Sequence, residues 1–280
     1  MAVLLVVAAA CGHYDPADEL AHREYADPSL AIGAILAEAA PDQPRVFAVG
    51  EYHETPRAAP HRSAMSHFTD EILGALEPHA HDLVIESWID MGCDDVAATV
   101  PGQIEAATER PLTTGDDIGH LFDEAERDGL SLHGLSVTCL EQGSIVADDG
   151  QVDFFLLLEL IAEKLGDTTR ALLDTRDVTG VIVYGGAVHN DLYPAWPLDD
   201  LSYAAPLAQR LGGHVLEIDL VAPEAVAPMA QVRGETWFPL LARAAPGRTI
   251  VWRRAADSYV VILPAQTSAV AAIATVADRN

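Results

Sequence analysis

Two apolar segments far apart in the chain each end in glycine followed by a histidine, and this recurrence is the feature that most constrains the fold. The segments are residues 46–53, VFAVGEYH, and residues 181–190, VIVYGGAVHN, while a third apolar run at residues 83–86, LVIE, ends in a carboxylate. In an open parallel sheet, the carboxyl ends of the strands line one crevice. The sequence therefore predicts one shared site, formed by the polar side chains at these strand ends: Glu51, His53, Glu86 and His189.

Strand patterns alternate with helical patterns along the chain. Apolar residues at helical spacing follow the first motif at 61–76, a long apolar helix is predicted at 152–173, and two β-rich runs close the sequence. This order predicts an α/β fold, with a mainly parallel central sheet flanked by helices and an antiparallel hairpin at the C-terminal edge. We expect a signal- or lipoprotein-like segment and linker at 1–26, followed by a single α/β catalytic domain at 27–280.

The chain is strongly acidic, with 43 Asp and Glu against 16 Lys and Arg and a formal net charge of −27. Because this field repels phosphate backbones, we expect no nucleic-acid partner. The sequence contains neither GxxxxGK(S/T) nor GxGxxG, so nucleotide binding has no support. It also lacks the GxSxG elbow and the HExxH and HxxEH motifs, which disfavours serine-hydrolase and helical zinc-protease chemistry.

The N-terminus carries an apolar run, residues 1–10, that is shorter than the about 20 residues needed to span a bilayer. Small residues before Cys11 resemble the lipobox of bacterial lipoproteins, which predicts lipidation of Cys11 and membrane attachment at the cell envelope. The run has no Arg or Lys ahead of it, so an apolar first strand or tail in a cytoplasmic protein is the alternative. Export would allow a Cys93–Cys139 disulfide, whereas a reducing compartment would keep both as thiols.

The first motif carries the residue types needed for hydrolysis. Glu51 and His53 are two residues apart, so in extended geometry they face the same side, and such a pair suits a metal ion or a proton transfer. Glu51 or Glu86 can activate water as general base. His53 and His189 can hold a divalent ion or, without metal, stabilise an oxyanion and protonate the leaving group. The alternative is that both carboxylates only cap helices or pair with nearby arginines.

Further polar and glycine positions beside these strand ends are assigned to substrate binding: Tyr52, His133, Gly186 and Asn190. The Gly185–Gly186 pair lets a ligand approach the backbone, and the Asn190 amide can orient an imidazole or a bound carbonyl. His133 lies directly before Gly134 at the end of a predicted strand, a placement like that of His53. The alternative is that His133 is a core histidine. The predicted metal ligands are His53, Glu86 and His189, with Mn, Co, Zn or Fe as the ion.

The order of these motifs resembles that of the superfamily joining erythromycin-esterase-like enzymes, ChaN-like haem-binding-uptake lipoproteins and the Tiki/TraB metalloproteases. The resemblance covers most of residues 45–264 and consists of Gly50-Glu51-x-His53, Glu86, Gly186-x-x-His189-Asn190 and a closing strand at 258–264. It implies an α/β core with paired carboxylates and histidines at one crevice. It further implies metal-dependent peptide cleavage in the Tiki branch, lactone hydrolysis in the esterase branch and haem binding in the ChaN branch.

The sequence thus predicts a metal-assisted hydrolase that cleaves an ester, lactone or amide bond in a small-molecule or peptide substrate. The alternative is a ChaN-like haem- or iron-binding surface lipoprotein, which the lipobox-like Cys11 favours. In that case Tyr52, Tyr184 or Tyr193 can ligate iron. The next histidine after His53 is His61, whereas the ChaN-like first motif has a closely following pair of histidines.

Overall fold

The computed structural model describes residues 16–53, 61–89, 114–175 and 180–266, and their eight strands form one sheet. In chain order the strands are β1 His22–Tyr25, β2 Val46–Glu51, β3 Asp82–Ile89, β4 Ser131–Ser136, β5 Val181–Gly186, β6 Val215–Val221, β7 Thr249–Ala255 and β8 Ser258–Ile262. Their order in the sheet is β1-β7-β8-β6-β2-β5-β3-β4. The strands from β8 to β4 are parallel, and β7 pairs antiparallel with both β8 and β1. The predicted α/β class, parallel centre and C-terminal hairpin are confirmed.

Helices connect most of the strands. They are α1 Pro28–Ala39, α2 (Ala64–His67, a π turn at Phe68–Ile72, and Leu73–Leu76), α3 Thr114–Arg127, α4 Cys139–Ser144, α5 Phe154–Thr175, α6 Ala187–Asn190, α7 Ala204–Leu211 and α8 Pro223–Val226. The start of α1 follows from its sequence, because the Asp27 side chain accepts a hydrogen bond from the Leu30 amide at 2.8 Å and Pro28 occupies the first turn. Short 3₁₀ turns lie at Pro16–Glu19, Ala40–Asp42, Glu77–His79, Asp199–Leu201, Gln231–Gly234 and Phe238–Arg243.

Alternating side chains of the central strands bury two apolar layers, one on each face of the sheet. Phe47 and Val49 of β2 belong to the layer that includes α1, α2 and α3, whereas Val46 and Ala48 belong to the layer under α5 and α7. Both faces of β2 are therefore buried, as expected for the centre of a parallel sheet. Each fully buried Ile, Leu or Val contributes about 1.5–3 kcal/mol, so these layers hold the strand ends in place.

The chain reverses direction across the sheet beside β2. From β2 it passes to β3 through α2 on one face, and from β5 it returns to β6 through α7 on the other face. As a result, β2 is flanked by β5 and β6, and Gly50 lies opposite Gly185 on one side and Asp219 on the other. Ligands of open α/β sheets bind at such reversals, outside the carboxyl ends of the strands.

The N-terminal segment differs from the prediction. Residues 22–25, which fall in the predicted linker at 1–26, form β1 on the edge of the sheet, and Ala17 is fully buried. A polar HREY segment lacks the alternation of a strand, so its pairing comes from the open edge of β7. An Arg23–Glu38 ion pair at 2.7 Å also attaches it to α1.

The predictions for the cysteines fall partly on residues that the structure does not describe. The predicted lipidation site, Cys11, lies outside the described residues. Cys139 is disulfide-bonded, and its predicted partner Cys93 also lies outside the described residues, so the Cys93–Cys139 pairing stays a prediction. Across residues 16–53, 61–89, 114–175 and 180–266, no helix has the length and apolar character required to cross a bilayer.

Candidate functional site

The core of the candidate site is a carboxylate–imidazole pair at the end of β2. Glu51 is the last residue of the strand, and its Oε1 lies 2.9 Å from Nδ1 of His53. On its other oxygen, Glu51 accepts a hydrogen bond from the Tyr184 hydroxyl of β5. A carboxylate bound to Nδ1 favours the tautomer with its proton on that nitrogen, which leaves the Nε2 lone pair of neutral His53 as an acceptor.

Glu86 brings a second carboxylate to the other ring nitrogen of His53. Its Oε2 accepts the Gly186 backbone N–H at 2.6 Å, and its Oε1 lies 3.7 Å from His53 Nε2. The pairing of β3 with β4 is irregular between Val84 and Trp88, and Glu86 lies in this bulged part of the strand. Bulges re-aim side chains near functional sites. The Glu51 and Glu86 side chains are 12% and 8% exposed, against 31% for His53, so the imidazole is the accessible group.

The glycines of the second motif make room for these side chains. A Cβ atom built on Gly185 would lie 2.9 Å from Glu86 Oε2, and one built on Gly186 would lie 2.9 Å from His53 Nε2. Any side chain at either position would displace the acid or the imidazole. The prediction that Gly186 admits a ligand is therefore corrected, since the protein's own Glu86 and His53 fill that space.

His189 and Asn190 follow β5 on the short helix α6 and are both buried. The His189 ring borders the same point, with Cδ2 3.5 Å from a Cβ built on Gly186, and its Nδ1 donates to the Leu201 carbonyl oxygen at 2.9 Å. Asn190 donates to the Val49 carbonyl oxygen at 3.0 Å and accepts from the Tyr203 hydroxyl at 2.7 Å. Asn190 therefore joins α6 to β2 instead of binding substrate, which corrects its predicted role.

His133 is not part of this group. It lies in the middle of β4, and its Nε2 is 2.8 Å from Oδ1 of Asp82, the first residue of β3. Four residues of strand separate Asp82 from Glu86, or about 13 Å at about 3.3 Å per residue. Because β4 continues beyond it to Ser136, His133 is not at a strand end and is not brought to the other predicted site residues, so its role in substrate binding stays a prediction.

Tyr52 lies between Glu51 and His53 in sequence and lines a cavity of about 550 Å³. Its ring makes an edge-on contact with Trp237, with centroids 5.3 Å apart. Burial and the charge of Asp219 raise the pKa of Tyr52 well above its usual range, so its hydroxyl remains a hydrogen-bond donor. His53 lines this cavity as well, and it also borders a small recess with Glu51 and Glu86. His53 is thus the residue that connects the two carboxylates to a space of substrate size.

The predicted metal site can be tested against the donor geometry. A catalytic metal site needs about three protein ligands, but no group of three or more His, Cys, Asp or Glu side chains within the described ranges is arranged to hold an ion. His53 and Glu86 supply one close pair, while the Glu86 Oε2 accepts from Gly186 and His189 Nδ1 is bound to Leu201. A metal ion held by His53, Glu86 and His189 therefore stays a prediction.

A second group of carboxylates, on β6, was not identified from the sequence. Glu217 and Asp219 face the same side of this central strand and are 0% and 5% exposed. The nearest cation is Arg254, whose Nη1 lies 2.7 Å from Asp191 Oδ1 and 3.5 Å from Glu217 Oε1. Burial, reinforced by the charge of Asp191, raises the pKa of Glu217 to about 7, and burial together with Glu217 raises the pKa of Asp219 further. The signal available in the sequence was a pair of acids two positions apart, Glu217 and Asp219, in the apolar run VLEIDLV.

Comparison with known proteins adds little to this geometry. No protein-family model and no curated protein matches the chain. Among solved structures, that of the type III effector HopBA1 is similar with a TM-score of 0.37 and 11% identity, covering 79% of this chain and 88% of that one. A similarity at this level carries no argument about function, so the site is interpreted from its own contacts.

Proposed function

We propose that this chain is a hydrolase of ester, lactone or amide bonds in which His53 is the general base. The observation that supports this most directly is the hydrogen-bonded series from Tyr184 through Glu51 to His53, which ends at the wall of the 550 Å³ cavity. In this series, Tyr184 orients Glu51 and Glu51 orients the base His53. Such an arrangement is expected where a histidine activates a nucleophile. We assign the nucleophile to water, because the GxSxG motif of serine hydrolases is absent.

The reaction follows from the positions of the polar groups. His53 Nε2 takes one proton from a water molecule as the water oxygen bonds to the substrate carbonyl carbon. The carbonyl electron pair moves onto its oxygen. When this pair returns, the bond to the leaving oxygen or nitrogen breaks, and His53 gives its proton to that atom. The products are a carboxylic acid and an alcohol or amine, and His53 is neutral again.

Three neighbours of His53 stabilise the charges that develop. Glu51 on Nδ1 and Glu86, 3.7 Å from Nε2, both favour the transient imidazolium. Tyr52 lines the cavity and its hydroxyl stays protonated, so we assign this hydroxyl to the carbonyl oxyanion. This division gives each residue of Glu51-Tyr52-His53 a separate task.

The resemblance to erythromycin-esterase-like enzymes supports the same reaction, because it rests on Glu51, His53 and Glu86. The ChaN-like alternative is less well supported, since Tyr184, one of its possible iron ligands, is engaged with Glu51. We also propose that the protein is exported to the cell envelope. The Cys139 disulfide supports export, since such bonds persist in oxidising compartments.

The test is turnover of a panel of p-nitrophenyl esters, lactones and peptide anilides by His53→Asn and Glu51→Gln variants. We expect each variant to lose about 10²-fold or more in kcat while keeping the melting temperature of the unchanged protein. His133→Asn is the matched control, because this histidine also binds a carboxylate but lies away from the site. Turnover by His53→Asn at the rate of the His133→Asn control would refute the proposal.

A further inference from the structure

The cavity beside His53 contains more carboxylates than cations. Among the described residues, Asp191, Asp219 and Glu235 line it together with one guanidinium, that of Arg254. Arg254 is already engaged, because it binds Asp191 at 2.7 Å and the Tyr193 carbonyl oxygen at 2.9 Å and lies near Glu217. Within the described ranges, neither Asp219 nor Glu235 forms an ion pair. Among the described residues that line the cavity, acidic groups therefore outnumber cations.

Asp219 is the member of this set that points to a ligand. Its side chain is 5% exposed and forms part of the cavity wall, and its Oδ1 has no hydrogen-bond partner among the described residues. A buried carboxylate oxygen without a hydrogen-bond partner is costly, even though Asp219 also shares a hydrogen bond with Glu217. A ligand that brings a positive charge into the cavity would remove that cost.

Aromatic rings also line the cavity. Tyr52 and Trp237 form their edge-on pair at the cavity surface, and Trp252 lines it as well. The carboxylates and these rings share one space, because the charges of Asp219, Glu235 and Asp191 all act on the Tyr52 hydroxyl. Aromatic faces combined with carboxylates are the chemistry that recognises ammonium groups, through cation–π contact and charge.

We propose that this cavity binds a cationic nitrogen of the substrate, an amine or quaternary ammonium group, between Asp219, Glu235 and the Tyr52–Trp237 pair. This inference rests on the proposed function and narrows its substrate class to esters, lactones or amides that carry such a group. Since His53 lines the same cavity, a molecule anchored there by its cation places its carbonyl within reach of the base.

The binding should depend on pH in a defined direction. Without ligand, Glu217 and Asp219 hold protons more tightly than ordinary carboxyls, because both are buried beside one another and Asp191. Arg254 acts in the opposite direction, and Glu235 also has a raised pKa because of burial. A bound cation favours the ionised carboxylates, so binding releases protons and the affinity rises with pH through the region near pH 7 where Glu217 titrates.

The experiment uses choline and its uncharged carbon isostere, 3,3-dimethyl-1-butanol, as probes of the full-length protein. Titration calorimetry in buffers of different ionisation enthalpy measures both affinity and protons released. We expect choline to bind about tenfold or more tightly than the isostere and with release of protons. Asp219→Asn should reduce choline affinity about tenfold, and Asp167→Asn, an exposed acid on α5, should not change it.

Glu235→Gln provides a second variant at an exposed position, in case Asp219→Asn fails to fold, and it should also weaken choline binding. Equal affinity for the two probes, no choline binding, or unchanged affinity in both variants would overturn the inference. These results are independent of turnover. If choline fails to bind while His53→Asn still abolishes hydrolysis, only the substrate class is wrong; if choline binds and His53→Asn retains turnover, the proposed hydrolase mechanism is wrong.

Discussion

Two acidic regions meet at the carboxyl end of β2, and they differ in how their charge is compensated. In the His53 region, Glu51 and Glu86 each accept a hydrogen bond from a fixed donor, the Tyr184 hydroxyl and the Gly186 amide. In the β6 region, Glu217 shares Arg254 with Asp191 and accepts from the Leu192 backbone N–H at 3.1 Å, but one oxygen each of Glu217 and Asp219 has no hydrogen-bond partner among the described residues. The hydrogen-bonding capacity of the second region is therefore satisfied only in part.

This difference suits the two regions to different tasks: the first orients His53, and the second binds a ligand. Carboxylates that accept from rigid donors have fixed orientations, so they can fix the tautomer and direction of His53. Carboxylates that lack partners lower the free energy of unfolding and are available to a ligand of opposite charge. The two regions are adjacent, because Gly50 lies opposite Asp219 in the β2–β6 pairing. The next residue, Glu51, forms the carboxylate–imidazole pair with His53.

The largest effect is expected at Gly50, where the two regions touch. A Cβ atom there would lie 2.3 Å from Asp219 Oδ1 and 2.8 Å from the Cα of Ala187, and the backbone of α6 cannot easily withdraw. Gly50→Ala should lower the free energy of unfolding by about 3 kcal/mol, measured by urea denaturation. Gly33→Ala is the matched control, because nothing lies within 4 Å of its new Cβ and alanine favours the helix, so stability should rise by about 0.5–1 kcal/mol. Equal stability of the two variants would mean that the regions are not in contact.

The next largest effect is the loss of folding stability caused by burying Glu217 of β6, and this loss depends on pH. The pKa of Glu217 is raised from 4.5 to about 7, so the folded state holds this proton more tightly than the unfolded state does. Its contribution to stability is fully present below about pH 4.5 and is lost as the pH rises through about 7. Glu217→Gln should therefore raise the free energy of unfolding at about pH 8.5 by on the order of 2–3 kcal/mol, since one pKa unit corresponds to about 1.4 kcal/mol.

At about pH 4, the Glu217→Gln variant and the unchanged protein should unfold at the same urea concentration, because both side chains are neutral there. The control is Glu163→Gln on the exposed face of α5, which should leave the pH dependence as it is. A Glu217→Gln variant that is less stable at high pH would show that the contact with Arg254 outweighs the cost of burial.

The same comparison explains which parts of the site were predictable. Glu51, His53 and Glu86 could be recognised because glycine or a strand end precedes a polar residue in an apolar run, and parallel strands bring such ends together. Glu217 and Asp219 could not, because alternating acids in VLEIDLV are also the pattern of a strand with one solvated face. Only the order of strands, which places β6 between β8 and β2, reveals that both faces are buried.

His133 and Asn190 illustrate a second limit of the sequence. Each follows the pattern of a polar residue at a strand end. In the structure, His133 binds Asp82, which lies opposite Ser131, two residues earlier in β4. Asn190 is hydrogen-bonded to the Val49 carbonyl oxygen and the Tyr203 hydroxyl. Register and side-chain direction depend on packing between distant segments, so a pattern of residue types along one strand does not determine them. The same reasoning applies to β1, whose polar sequence becomes a strand only because β7 offers an open edge.

The smallest expected effect concerns the Tyr184 hydroxyl, the hydrogen-bond donor to Glu51 in the His53 region. Tyr184→Phe removes the hydroxyl that donates to Glu51 and leaves the ring in its buried position beside Phe68. We expect a loss of about 1 kcal/mol in the free energy of unfolding. We also expect a fall of about three- to tenfold in kcat, because the Tyr184 hydroxyl no longer helps to orient the Glu51 carboxylate beside His53. Tyr193→Phe is the matched control, since that hydroxyl also donates to a carboxylate, Asp257, at an exposed position. If both variants keep full turnover, Glu51 is held by its strand alone, and the hydrogen bond from Tyr184 has no part in orienting the base.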